Sequence, residues 1–118
     1  MAKTVQYDLE DRTFQFAKNV RDFIRNVPKD ICNIEDCKQL AKASGSVGAN
    51  YIEANESLSK KDFRMRIKIS RKESKESRFW LKLIELNKDS NLNKEKDSLV
   101  QESTELLKIF SAILNNSK

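Results

Sequence analysis

A chain of 118 residues with 23 Lys and Arg against 18 Asp and Glu, a net charge of +5, has the length of one domain and a moderately basic balance. Zero histidines remove the usual general base near neutral pH and the commonest metal ligand, and two Gly with one Pro give little turn chemistry for a many-stranded sheet. Charged residues at 35% and hydrophobic ones at 38% favour amphipathic helices around a modest core, with no run apolar enough to span a bilayer.

The periodicity predicts four helices, over about 8–27, 34–55, 60–88 and 94–115, in one domain. In the first, Leu9, Phe16, Ala17, Val20, Phe23, Ile24 and Val27 share a stripe, and Pro28 ends it because the residue before proline leaves helical geometry. Asn33 is the expected N-cap of the second helix, with Asp36 in the capping-box position. Cys37, Leu40, Ala41, Ser44, Val47, Gly48 and Tyr51 give that helix its inner face. The run "ASGSVGANYI", residues 43–52, has no charge on any side. A helix uncharged all round is usually buried all round, so Ala43, Ser46, Ala49 and Asn50, with Glu53 beyond them, are expected to form a contact surface for another subunit.

Ser59 is the expected cap of the third helix. Phe63, Ile67, Ile69, Trp80, Leu81, Leu83 and Ile84 make its apolar side, and Ser70, Ser74 and Ser77 allow close approach of a neighbour. After the polar "KDSNLNKEK", Asn93 is the expected cap of the fourth helix, whose seam is Leu99, Ser103, Leu106, Leu107, Phe110, Ile113 and Leu114. Four helices with short connections predict an all-α, antiparallel up-and-down four-helix bundle.

The third helix carries a stripe of cations. Lys61, Arg64, Lys68, Arg71, Lys75, Arg78 and Lys82 step by three and four, which places all seven on one face, opposite the apolar side. Residues 59–88 hold eleven basic residues against four acidic ones, +7 in a chain of +5, so the positive charge is concentrated here. Such a stripe is either a solvated surface or a row of phosphate contacts whose grip on nucleic acid weakens with salt. Glu73 and Glu76 project on or near the apolar side. They read as structural, satisfied by Arg66, Lys72 or polar groups of the second helix, more than as a catalytic pair. Asn50 and Glu53 read as a polar lock between helices or subunits. Phe79 and Trp80 form a pair able to stack on a base, but Trp80 falls on the core side and is read as core. Cys32 and Cys37 fit a loop thiol and a small core residue, and the chain reads as a reduced cytoplasmic protein with no metal site or cofactor.

The segments "LAKASGSVGANYIEA" and "SKKDFRMRIKISRKESKESRFWLKLIE" resemble the 23S rRNA intervening-sequence protein family, also called S23-like four-helix-bundle proteins. Ser46, Val47, Ala49, Asn50 and Glu53 carry the likeness, in the family's S-I-x-x-N-I-x-E-G pattern; Ala54 and Tyr51 depart from it, standing where many members have glycine and isoleucine. The resemblance implies a homopentameric ring of four-helix bundles and brings no catalytic residues. The family includes proteins encoded within inserts in bacterial 23S rRNA genes. It also includes the accessory variability proteins of diversity-generating retroelements, basic pentamers that bind nucleic acid and a reverse transcriptase. The expected function is therefore a non-enzymatic oligomeric protein that binds RNA or DNA through the stripe. The alternative is a protein–protein adaptor whose basic face meets an acidic protein or a polymerase such as a reverse transcriptase.

Overall fold

The computed structural model describes the backbone of residues 2–118, with side chains from Asp8 onward except that of Ser90. Four helices follow one another: α1 (Ala2–Ile24), α2 (Ile31–Asn55), α3 (Lys60–Leu83) and α4 (Ser90–Asn116). They pack in cyclic order, α1 on α2, α2 on α3, α3 on α4 and α4 back on α1, which is the up-and-down bundle that the short connections predict.

The expected stripes meet in the centre. Phe16, Val20 and Phe23 of α1, Leu40 and Val47 of α2, Ile67 and Leu81 of α3, and Leu106 and Phe110 of α4 are all within 1% of complete burial. Tyr51 and Phe110 lean on each other across the core, ring centroids 5.9 Å apart. Removing this apolar surface from water is what holds so polar a chain together. Arg12 of α1 clasps Glu102 of α4 through two hydrogen bonds of 2.7 and 2.8 Å, fastening the bundle where its helices pack least closely.

The helix ends differ from those expected. Ile24, not Val27, is the last residue of α1, though Val27 stays buried beyond it. Helix α2 begins at Ile31 because Asp30, not Asn33, caps it, accepting from the Asn33 amide at 2.8 Å. Asn33 is instead a buried clamp: its Nδ2 donates to the carbonyls of Pro28 and Glu85, and its Oδ1 accepts from the Glu85 amide. That clamp holds the chain in a non-helical path just past α3, which ends at Leu83 and not near residue 88. Asp89 caps α4, four residues before the expected Asn93, whose side chain reaches back to the carbonyls of Asn87 and Asp89. Ser59 caps α3 as expected, accepting from the Asp62 amide.

Small residues set how closely α2 and α3 approach. Ser70, Ser74 and Ser77 are fully buried, and the Ser70 hydroxyl donates to the Val47 carbonyl across the seam at 2.9 Å. On the opposite side of α2, Gly48 lies against α1: a Cβ there would stand 2.9 Å from the Thr13 hydroxyl oxygen, so no larger residue fits unless Thr13 moves.

Candidate nucleic-acid interface on helix 3

The seven cations of α3 lie in two rows, one heptad apart within each. Lys61, Lys68, Lys75 and Lys82 are exposed, whereas Arg64, Arg71 and Arg78 are partly buried, Arg64 and Arg78 against α4. The expectation that all seven point away from the bundle is corrected for the arginines. Their positions fall nearer the α4 side by the helical twist, and their long stems lie along the neighbouring helix. Arg64 donates from Nη1 to the Leu114 carbonyl at 2.6 Å and the Ser117 hydroxyl at 3.0 Å, and Arg78 donates to the Thr104 hydroxyl at 3.3 Å.

Two of the contacts between α3 and α4 are reciprocal. Arg64 of α3 supplies a cation to the last carbonyls of α4. Lys96 of α4 returns one to the end of α3, donating to the carbonyls of Lys82 and Ile84 at 3.3 and 2.7 Å. Each cation meets the negative end of the partner's helix dipole, where unpaired carbonyls are left over.

The lysine row has no such employment. Among the described residues, the ion pairs are Arg12–Glu102, Arg25–Asp22 and Lys108–Glu105, and none touches α3. At one end the row opens onto a cleft of about 560 Å³, lined by Lys60, Lys61, Arg64, Lys68 and Lys118 with Asp62 and Met65. Five cations around one acidic side chain make this end of the bundle strongly positive.

Phe79 and Trp80 divide between surface and core. Trp80 is partly buried and packs on the core, as expected, while Phe79 is 55% exposed and meets Trp80 edge to face, centroids 5.0 Å apart. Leu83, read as core-facing, is 46% exposed where α3 ends.

The proposed subunit surface on α2 needs a correction as well. Ala43 is only 5% exposed within the chain and offers almost nothing to a partner. Asn50 is a lock between helices: it donates to the Ser46 carbonyl and hydroxyl and accepts from Arg66 of α3 at 2.9 Å. Only Ala49 and Glu53 of the five are exposed, with Ser46 and Asn50 partly so. Much of the uncharged run is thus explained inside the chain, by α3 on one side and α1 on the other.

Glu73 is not matched to Arg66, which is engaged with Asn50. Burial pushes its carboxyl up to about 7, and the hydrogen bond and charge of Glu76 push it the same way, against the opposing pull of Lys72 and Lys42. Burial raises the Cys37 thiol too; Cys32, on the first turn of α2 and not in a loop, is exposed. No group of three or more metal-ligating side chains converges among the described residues, and no helix is long and apolar enough to cross a membrane.

A protein of unknown function from the S23 ribosomal protein family of Bacteroides thetaiotaomicron has a similar crystal structure. Its TM-score is 0.74 at 24% identity, over 89% of this chain and 96% of that one, a likeness of fold. No curated protein matches. The family model for the 23S rRNA-intervening sequence protein matches residues 6–112, nearly the whole bundle, and the chain belongs to that family.

Proposed function

We propose that this protein is a non-enzymatic accessory protein that binds RNA or DNA, with Lys61, Lys68, Lys75 and Lys82 contacting phosphates. The observation that carries the reading is the lysine row itself: four exposed cations on one face of a helix, none in an ion pair among the described residues. Heptad steps of 1.5 Å per residue space them about 10.5 Å apart, a rail some 30 Å long. Contacts of this kind fix position on a backbone and give affinity with little sequence readout. The arginines reinforce the field, but Arg64 and Arg78 are held to α4. A family named for an rRNA insert fits an RNA partner.

We further propose that it works in the cytoplasm as a homopentamer, as the resemblance implies, with Ser46, Ala49, Asn50 and Glu53 on the subunit contact. A ring would repeat the lysine row and multiply its field. The alternative is a protein–protein adaptor, its basic face meeting an acidic protein or a polymerase such as a reverse transcriptase.

The test is binding of a structured RNA and a matched DNA duplex across a salt series, with molar mass by light scattering in the same buffers. Affinity should fall steeply with salt. Changing Lys61, Lys68 and Lys75 together to Glu should flatten the slope by about two to three, near 0.9 per duplex phosphate lost. No binding at low salt would overturn the assignment. A protein partner that survives both these reversals and nuclease treatment would favour the adaptor.

A further inference from the structure

Phe79 stands beside the lysine row. It follows Lys75 by four residues and precedes Lys82 by three, so all three side chains share one strip of α3. Its ring is more than half exposed, and its edge-to-face contact with Trp80 steadies it without covering it. A single exposed aromatic is ordinary on a protein surface. One set between two exposed cations that have no carboxylate partner among the described residues has the composition of a single-strand site, in which cations follow the backbone and a ring receives a base.

We propose that Phe79 is a base-stacking platform, so that the interface selects single-stranded or unpaired nucleic acid over duplex. The inference rests on the nucleic-acid reading above. A duplex laid on α3 would present phosphates to the lysines but keep its bases stacked inside, leaving the ring against a charged backbone. A single strand can hold phosphates at Lys75 and Lys82 while the intervening base turns onto Phe79. Every base has a π-face, so this contact adds strand selectivity without sequence selectivity.

The experiment measures binding of an oligouridylate and of a fully paired RNA duplex to the whole protein and to Phe79→Leu, with light scattering on both. The only tryptophan, Trp80, touches Phe79 and gives a local fluorescence signal. The unaltered protein should bind the oligouridylate more tightly than the duplex, with a change in Trp80 emission. Phe79→Leu should weaken oligouridylate binding about tenfold, within the usual range of base–aromatic stacking, and leave duplex binding, salt slope and molar mass unchanged. Equal affinity of both proteins for the oligouridylate would overturn the stacking role while leaving the phosphate reading in place. A fall in molar mass would also overturn it, reassigning Phe79 to a subunit contact. Failure of the unaltered protein to bind either RNA would overturn the stacking role, and failure to bind the DNA duplex as well would overturn the phosphate reading beneath it.

Discussion

Helix α3 joins its two neighbours by opposite means. Toward α2 it presents fully buried serines, and the backbones come close enough for the Ser70 hydroxyl to reach the Val47 carbonyl. Toward α4 it presents Arg64 and Arg78, whose long side chains reach two hydroxyls and the Leu114 carbonyl at the end of that helix. The first seam excludes volume, and the second tolerates it. The lysine row lies outside both, which is why the two kinds of cation on one stripe have different uses.

The close seam should break most easily. Ser74 has no exposed surface, and its hydroxyl donates to the Ser70 carbonyl within α3. Ser74→Leu would add two heavy atoms and a branch where none fit and should destabilise the fold by about 3 kcal/mol, the upper end of the usual range for overpacking. Ser74→Ala, which keeps the volume small, should cost under about 1 kcal/mol. Urea unfolding of the two variants measures the contrast. A tolerated leucine would show that the α2 and α3 backbones can part.

The arginine seam should respond more gently and should separate the two rows of cations. Arg64→Ala removes a charged cap from the α4 terminus together with packing along that helix, and should cost about 1–2 kcal/mol. Lys68→Ala, on the same helix one turn away, should stay within about 0.5 kcal/mol, as surface changes usually do. Chemical denaturation of both variants decides the matter. Equal losses would mean that the arginines are no more structural than the lysines, and the division of the stripe would fail.

The stripe, the four helices and most of the core follow from spacing alone, because a 3.6-residue period sorts side chains by face. The division within the stripe does not. Arg64 and Lys61 differ by less than one turn, and only the position of α4 decides which of them finds carbonyls. Helix ends fail for a similar reason. Asp30 and Asn33 are both good caps three residues apart, and so are Asp89 and Asn93 four apart. Local preference cannot choose between such candidates. A contact 52 residues away, from Asn33 to Glu85, frees Asn33 from capping and fixes the end of α3 as well. Ala43 was legible as small but not as inward-facing, since an uncharged stretch carries no mark of which neighbour covers it. One signal was available for Phe79: it falls on the lysine side of the wheel, away from Ile67 and Leu81.

The α2 flank also holds its acid in an unusual state. Glu73 sits with its carboxyl at about 7, raised from 4.5 chiefly by burial and then by Glu76. The folded value lies above the unfolded one, so the folded chain keeps a proton that the unfolded chain gives up. The stability present below 4.5 is therefore lost as pH rises toward about 7. Glu73→Gln mimics the protonated form at every pH. It should match the parent near about pH 4 and exceed it near about pH 8 by about 1 kcal/mol, a figure reduced from the full shift because solvent reaches the pair. Urea unfolding at the two pH values measures this. A gain of equal size at both would mean that Glu73 holds no extra proton, and that its carboxylate is satisfied by Lys42 and Lys72. The α4 flank provides the control. There the facing groups are cations on carbonyls, and Arg64→Ala should cost the same at both pH values.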